Sequence, residues 1–161
     1  MKGFTLVEIL VSAVILCLII AGLFGVLNIG NATYNTERYL LDLQQKARYA
    51  MDRMIRELRE GLRSSVNISA GNTRITFNTP DEPGMQYYRD ISDIDGDGRV
   101  DQIFREYPAG TRNKLVQEDI ESLNFSLSGN LLQIQITAKK TQRPDLTFFL
   151  KEQVRLRNES R

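Results

Sequence analysis

The hydrophobic pattern of the chain changes twice along its length, and its first part is an almost unbroken apolar run. This run extends from Phe4 to Leu27 and includes one formal charge, at Glu8. About 20 apolar residues cross a bilayer as a helix, whereas the apolar region of a secretory signal peptide has only about 7–15 residues. The first part of the chain is therefore predicted to be a transmembrane helix. Lys2 before it predicts that the amino terminus stays on the cytoplasmic side.

In the second part, from Leu40 onward, apolar residues take the spacing of an amphipathic helix. They stand at positions 40, 43, 47, 50, 51, 54, 55, 58 and 62. The opposite face is charged and includes the i,i+4 pairs Asp42–Lys46 and Arg53–Glu57. Nothing between residues 28 and 33 forces a break, so one helix is predicted from Phe4 to about Arg63.

After Ser65 the period falls to two, which is typical of strands. Alternation occurs around Ile75 and Phe77, and two longer alternating runs at 123–127 and 132–138 flank a Ser-Gly-Asn turn at 128–130. Two alternating runs joined by a short glycine turn predict a β-hairpin. A last run, 146–156, follows Pro144 and is interrupted by Glu152, which favours an edge strand or an exposed end.

The apolar stripe of the helix from Leu40 to Leu62 is the natural cover for this sheet. A helix on one face of an antiparallel sheet is an α+β layer architecture. The fold class predicted from periodicity is therefore α+β, with a long amino-terminal helix packed on an antiparallel β-sheet.

The composition removes several kinds of chemistry. Histidine is absent, and the only cysteine, Cys17, lies inside the apolar run, so a Cys–His zinc site and an intramolecular disulfide are excluded. Lys and Arg number 21 against 20 Asp and Glu, so no charge excess points to nucleic acid as a partner. No nucleophile–base pair or phosphate-binding loop is evident, and we expect that the protein is not an enzyme.

An acidic loop lies between the predicted strands, at 93–101. Alternating carboxylates in a tight turn place oxygen atoms together, and Ca²⁺ takes six to eight oxygen ligands. The candidate ligands are Asp93, Asp95, Asp97, the carbonyl of Arg99 and Asp101, which occupy positions 1, 3, 5, 7 and 9 of an EF-hand-like loop. We expect this loop to bind a structural Ca²⁺ ion.

The loop departs from the EF-hand pattern at position 12. Phe104 stands there in place of a bidentate Glu, and Asp90, Glu106 or water would have to substitute. The alternative interpretation is an acidic turn without metal, because Asp and Gly are ordinary turn residues.

Glu8 is the candidate functional residue of the apolar run. A carboxylate inside a membrane-length segment is costly, and such residues are functional candidates by default. The alternative is an interfacial acid near the helix N-terminus, where the helix macrodipole favours negative charge.

The residues around Glu8 carry a family resemblance. The heptapeptide Lys2–Glu8, KGFTLVE, followed at once by an uncharged helix, resembles the class III signal peptide of type IV pilins and of type II secretion pseudopilins. The resemblance implies cleavage by a prepilin peptidase after Gly3 and N-methylation of the new first residue, Phe4. It also implies that Glu8 pairs with the terminal amine of a neighbouring subunit during assembly.

The resemblance divides the chain into a leader, 1–3, a transmembrane and assembly helix, 4–27, its amphipathic continuation, 28–64, and a globular β-rich domain, 65–161. Residues 40–63 also resemble the helix of J/W-type minor pilins and pseudopilins. The expected function is therefore a minor pilin or pseudopilin, located at the filament tip and helping to initiate assembly.

The expected partners are the prepilin peptidase, other pilin or pseudopilin subunits, the inner-membrane assembly platform and membrane lipid. The expected location is the cytoplasmic membrane, crossed once, with the carboxy-terminal domain on the periplasmic or extracellular side. One alternative remains open, which is a single-span membrane protein with an exported sensor or adhesin domain that is never processed into a filament.

Overall fold

The computed structural model describes residues 5–69, 71–93, 96, 98, 100–141 and 143–157. The chain divides into two compact units, Met1–Arg38 and Tyr39–Arg161.

The first unit is occupied by the first part of one long helix, α1 (Leu6–Glu60). Its apolar side chains between Leu6 and Leu27 are exposed, and the helix is long and apolar enough to cross a membrane. The predicted first helical residue, Phe4, lies outside the described residues. At its other end α1 stops at Glu60, three residues before the predicted end, and a short 3₁₀ turn at Arg63–Ser65 follows.

The second unit contains the rest of α1, and there the helix is amphipathic as predicted. Its buried residues keep the predicted spacing and are Leu43, Ala47, Ala50, Met51, Met54 and Leu58. Leu41 is 57% exposed and marks the opposite, solvent-facing side. The helical period of the sequence therefore identified the face that packs on the sheets.

Two antiparallel sheets complete this unit. The first has five strands in sequential order: β1 (Asn67–Ile68), β2 (Arg74–Phe77), β3 (Met85–Arg89), β4 (Ile103–Glu106) and β5 (Arg112–Val116). The second has three strands in sequential order: β6 (Ile120–Ser128), β7 (Leu131–Lys140) and β8 (Arg143–Arg155).

The predicted hairpin is formed by β6 and β7. Ser128 pairs with Leu131 across a turn in which Gly129 has a φ of +60°, a conformation that glycine adopts at little cost. The last run forms β8, which pairs only with β7 in its sheet and so is the predicted edge strand. Glu152 lies on this strand and is exposed.

One core unites the helix and the sheets. Phe77 and Tyr87 from the first sheet stack with ring centroids 6.1 Å apart, and Phe125 and Ile134 from the second sheet belong to the same buried cluster as the α1 residues. The α+β architecture is confirmed, with antiparallel strands divided between two sheets.

Candidate functional site

The amino-terminal end of α1 is organised by Thr5 and Glu8. The Oγ1 atom of Thr5 accepts the backbone N–H of Glu8 at 3.3 Å, and the carbonyl of Thr5 accepts the N–H groups of Glu8 and Ile9 at 3.0 and 3.3 Å. Thr5 is thus the N-cap of the helix, and Thr-x-x-Glu has the sequence of a capping box. This signal is readable in the sequence, although the role predicted for Glu8 rested on its charge and on the family resemblance alone.

This cap places Glu8 in the first turn of the helix, where the macrodipole favours a negative charge. Glu8 is exposed, so its carboxylate is accessible to a cationic group from outside the chain. Gly3 and Phe4, the predicted cleavage and methylation residues, lie outside the described residues.

The acidic loop begins with Asp93, which adopts a φ of +48°. Its Oδ2 atom accepts the N–H of Gly98 at 3.1 Å, and its carbonyl accepts the N–H of Gly96 at 3.3 Å. Both glycines have positive φ, +74° for Gly96 and +80° for Gly98, which lets the backbone fold back towards the first carboxylate. The predicted ligands Asp95, Asp97 and Arg99 lie outside the described residues.

The second carboxylate oxygen of Asp93 is the feature of this loop that suits a cation. Asp93 Oδ1 is buried and has no hydrogen-bond partner among the described residues. A buried, uncompensated carboxylate oxygen is costly, and coordination to a metal ion removes that cost.

The side chain of Asp101, the last predicted ligand, is held through one of its two carboxylate oxygens. Its Oδ2 atom accepts the backbone N–H of Asp119 at 2.8 Å and the hydroxyl of Thr141 at 3.4 Å. Phe104, at the position of the EF-hand glutamate, is a buried residue of β4.

The two proposed substitutes for that glutamate are in different situations. Glu106 has both oxygens engaged, because Oε1 accepts the N–H of Gly110 at 2.8 Å and Oε2 accepts the hydroxyl of Tyr88 at 3.0 Å. Asp90 is fully buried, and its Oδ1 atom accepts the N–H of Ser92 at 3.0 Å. Because both of its oxygens are engaged, Glu106 is a poor candidate ligand.

An ionic cluster that the sequence patterns did not predict is centred on Asp119, in the turn between β5 and β6. Its Oδ2 atom contacts the Nζ atoms of Lys46 at 2.8 Å and Lys140 at 2.7 Å. Its Oδ1 atom accepts the backbone N–H of Thr141 at 3.1 Å and the hydroxyl at 3.2 Å. This carboxylate, whose side chain is 1% exposed, joins α1, β7 and the turn before β6.

The pKa of Asp119 reflects these partners. Burial alone raises the pKa, but hydrogen bonds from Lys140, Lys46 and the Thr141 N–H outweigh burial and lower the pKa to about 2. In the reverse sense, burial lowers the pKa of Lys46, and hydrogen bonds to Asp119, Asp42 and Glu118 raise it overall. Asp119 and Lys46 are thus both ionised at neutral pH.

Three carboxylates of this cluster, from Asp42, Glu118 and Asp119, lie within 4.8 Å of one another and could in geometry hold a metal ion. Lys46 contacts all three, at 2.9, 2.9 and 2.8 Å. Lys140 adds a second ammonium group. The two ammonium groups offset two of the three negative charges, and Lys46 already contacts every carboxylate that a metal ion would use, so the cluster is a structural network rather than a metal centre.

A second network fastens α1 to the first sheet. The Glu57 carboxylate accepts the hydroxyl of Tyr87 on β3 and pairs with Arg105 on β4 at 2.9 Å, and Arg53 on the helix pairs with it at 2.6 Å. Burial, followed by the hydrogen bond to Glu57, raises the pKa of Tyr87, so that the hydroxyl remains a donor. The predicted i,i+4 pair Arg53–Glu57 is present as part of this larger network.

Comparison with known proteins finds one match. The family model for the prokaryotic N-terminal methylation motif matches residues 1–24. No curated protein and no solved structure matches the chain.

The motif implies processing by a prepilin peptidase, and its family is structural rather than enzymatic. Together with the apolar helix it supports a membrane-anchored, single-pass protein. The methylation motif over residues 1–24 and the long amino-terminal helix packed on antiparallel sheets together support a type IV pilin-like protein.

Proposed function

We propose that the protein is a minor pilin or minor pseudopilin, a structural subunit of a type IV pilus or a type II secretion pseudopilus. The match of residues 1–24 to the methylation motif is the observation that carries this proposal. In it, the prepilin peptidase cuts after Gly3 and methylates Phe4, and the remaining domain lies on the far side of the cytoplasmic membrane.

Assembly replaces lipid around the apolar segment of α1 with the helices of other subunits. Glu8 then loses access to water, and an unpaired buried charge is strongly destabilising. The methylated amine of a neighbouring Phe4 is the partner that would neutralise Glu8. The pairing mainly determines how neighbouring subunits align along the filament, because a misaligned subunit leaves both charges unpaired.

The tip position and a role in initiating assembly are supported by the likeness of residues 40–63 to J/W-type subunits. In this proposal the assembly platform extracts the subunit from the membrane, and the subunit joins other minor subunits. A protein as abundant as the main subunit and distributed along the filament, as seen by immunogold labelling, would contradict the tip position.

Mass spectrometry of the protein purified from its native membrane tests the proposal. The expected amino terminus is N-methyl-Phe4. A Gly3→Leu variant should retain residues 1–3, whereas Gly22→Leu, at a helix position with open space around it, should be processed like the wild type. An intact Met1 with unmodified Phe4 in the wild type would favour the alternative, a permanently anchored exported sensor or adhesin domain.

We further propose that the acidic loop binds a structural Ca²⁺ ion. The buried and unpartnered Oδ1 atom of Asp93 supports this proposal, and so does the donor set, which consists of oxygen atoms alone. The residues that would hold the ion are Asp93, Asp95, Asp97, the carbonyl of Arg99 and Asp101. Bound only in the folded state, the ion would stabilise a domain that has no disulfide.

Thermal unfolding of the full-length protein in detergent tests this calcium site. We expect 1 mM Ca²⁺, but not Mg²⁺, to raise Tm, with about 2.7 kcal/mol of stabilisation at a hundredfold excess over Kd. Asp93→Asn should abolish the shift. Asp145→Asn, an exposed acid on β8, is the matched control and should leave the shift intact. Equal Tm values in calcium and in chelator would rule out the site.

A further inference from the structure

The second sheet turns one face to the core and the other to solvent. Residues such as Phe125 and Ile134 are buried in the core, so their neighbours along each strand point outward. The strand register aligns these outward residues in three rows that run across β6, β7 and β8. We call them the polar face, which consists of Ser122, Thr137 and Phe149 in the first row, Asn124, Gln135 and Lys151 in the second, and Ser126, Gln133 and Gln153 in the third.

Most hydrogen-bonding groups of the polar face are not used by the protein itself. The side-chain amide of Gln133 donates to the hydroxyl of Ser126 at 3.3 Å. Within the described part of the chain, the amides of Asn124, Gln135 and Gln153 make no hydrogen bond to another protein group. Each amide has two N–H donors and one acceptor oxygen. These groups are bound to water and can exchange it for the hydroxyl groups of a ligand.

Phe149 gives the same face an apolar element. It is 57% exposed, and the register places it beside Thr137. The faces of an aromatic ring carry partial negative charge, so they attract the weakly positive hydrogens of C–H groups as well as excluding water. The polar face therefore suits a ligand that presents C–H groups and many hydroxyl groups together.

The charges on this sheet argue against an ionic ligand. Lys151 is the only charged member of the polar face, and the neighbouring Lys139 already pairs with Glu121 at 2.9 Å. Phosphate-rich polymers are bound by several lysines and arginines at once. A protein partner also fits less well, because the centres of protein interfaces are enriched in Tyr, Trp, Met and Arg and depleted in Ser.

We propose that the polar face binds a neutral polysaccharide chain. The sugar hydroxyls exchange hydrogen bonds with the amides of Asn124, Gln135 and Gln153, and the C–H face of one sugar ring packs on Phe149. With strands about 4.8 Å apart and a rise of about 3.4 Å per residue, the polar face measures about 10 Å by 14 Å, which accommodates a short run of sugar rings. This binding goes beyond a structural role in a filament and does not depend on the acidic loop.

A glycan array tests the proposal, probed with the full-length protein in lauryldimethylamine oxide, a detergent without a sugar headgroup. The array carries neutral oligosaccharides, namely glucans, mannans, xylans and chitin oligomers, beside sulfated and uronic-acid-containing ones. We expect binding to neutral oligosaccharides only. Titration calorimetry with the best ligand should give the same Kd at about 0.1 M and about 1 M NaCl, because no ion pair is involved.

Two variants locate the binding on the polar face. Phe149→Ala should weaken it about tenfold through loss of the aromatic contact. Gln135→Ala, at the centre of the face, should weaken it about threefold or more through loss of hydrogen bonds. Thermal unfolding checks that each variant is folded, and Gln135→Ala carries the test if Phe149→Ala is not.

The matched controls remove similar side chains from the exposed side of α1. Leu41→Ala truncates an apolar residue that is 57% exposed, as Phe149 is. Gln45→Ala removes an exposed amide. Both variants should keep the wild-type affinity for the best ligand.

Three results would overturn the proposal. One is the absence of binding to every neutral oligosaccharide on the array. Another is binding to acidic oligosaccharides alone, lost at high salt, which would indicate an anion held by Lys151. The third is binding to a neutral oligosaccharide that neither Phe149→Ala nor Gln135→Ala weakens, since the ligand would then lie elsewhere on the protein.

Discussion

At the scale of single residues, Thr5 and Glu8 determine how the long helix begins. Thr5 satisfies the N–H of Glu8 and so sets the start of the helix at Leu6. Glu8 is left as the one acid of the apolar segment.

Glu8→Leu should insert into the membrane as well as the wild type but assemble poorly. Insertion becomes easier because a charge in the apolar segment is removed, whereas the pairing partner for a neighbouring terminal amine is lost. Membrane fractionation and the yield of sheared filaments measure the two effects. Glu8→Asp, which keeps the charge, should retain part of the assembly, and a filament yield for Glu8→Leu equal to that of the wild type would contradict the proposed pairing.

Unlike Glu8, the acid Glu106 has its hydrogen-bond partners within the folded domain. The hydrogen bond from the Gly110 N–H is the largest influence on its pKa and lowers it, while burial opposes this and the Tyr88 hydroxyl and Arg112 assist it. Hydrogen bonding to Glu106 also contributes, after burial, to raising the pKa of Tyr88 to about 12. A depressed pKa means that Glu106 stabilises the fold while it is ionised.

This stabilisation should be present above the ordinary glutamate pKa of about 4.5 and should be lost as the pH falls below it. Chemical denaturation at a series of pH values should therefore show that Glu106→Gln is less stable than the wild type at pH 6–7. The difference should shrink as the pH falls below about 4.5. In a protein that carries Arg112→Met, Glu106 has one cationic neighbour fewer. There, Glu106→Gln should cost less unfolding free energy at neutral pH than it does in the wild type. A difference that is constant from pH 3 to pH 7 would show that ionisation of Glu106 is not what stabilises the fold.

At the scale of elements, the amphipathic part of α1 shows what a hydrophobic pattern does and does not specify. The 3.6-residue period identified every fully buried position of the helix, including Leu43 and Leu58. The i,i+4 pairs within the helix were also foreseeable, since both partners are on one element. Their partners from outside the helix, Asp119 in the turn before β6 and Arg105 on β4, were not foreseeable, because the strand topology brings them to the helix.

Some strands were likewise predictable from the sequence pattern, and others were not. β6, β7 and β8 are long and alternate cleanly, so the sequence identified the hairpin, its turn and the edge strand. β3 was missed because both Tyr87 and Tyr88 are buried, on opposite faces of the sheet, so that the alternation disappears. β5 was missed for the opposite reason, since its first three residues are all exposed and polar. Nothing in either pattern indicated that the strands form two sheets.

Leu43→Ala tests the importance of the buried face. Leu43 is fully buried, so truncation removes apolar contacts and leaves a cavity, which costs about 2–5 kcal/mol of unfolding free energy. Leu41→Ala, two residues away and 57% exposed, is the matched control and should change the unfolding free energy by less than about 0.5 kcal/mol. Urea titrations of both proteins in detergent measure the difference, and equal losses would mean that this face of the helix is not the one packed on the sheets.

At the scale of the whole molecule, the two units differ in what covers their apolar side chains. The first unit presents exposed apolar side chains and depends on lipid or on other helices to cover them. The second has its own core, built from helix and sheets, and holds the charged networks. The resemblance carried by Lys2–Glu8 and the apolar run predicted the membrane-length helix, while the predicted leader and the metal-binding residues outside the described part of the chain remain predictions.

Leu16→Lys combined with Ile19→Lys should release the protein from the membrane. Each lysine near the centre of a span costs about 2.5–3.5 kcal/mol, and both side chains are exposed on the apolar part of α1. The wild type should stay in the membrane pellet after alkaline carbonate extraction, and the double variant should appear in the supernatant. Leu41→Lys, outside the apolar run, should remain in the pellet. A wild type released by carbonate would exclude a transmembrane helix.

Cys17 gives the apolar helix a native reporter. It is the only thiol of the chain, it is exposed on α1, and it lies about 14 Å along the axis from Glu8. Oxidation can therefore link two copies of this chain in one way only, thiol to thiol between adjacent spans. A disulfide-linked dimer found in native membranes would show, without any engineered label, that two copies of this subunit lie next to each other.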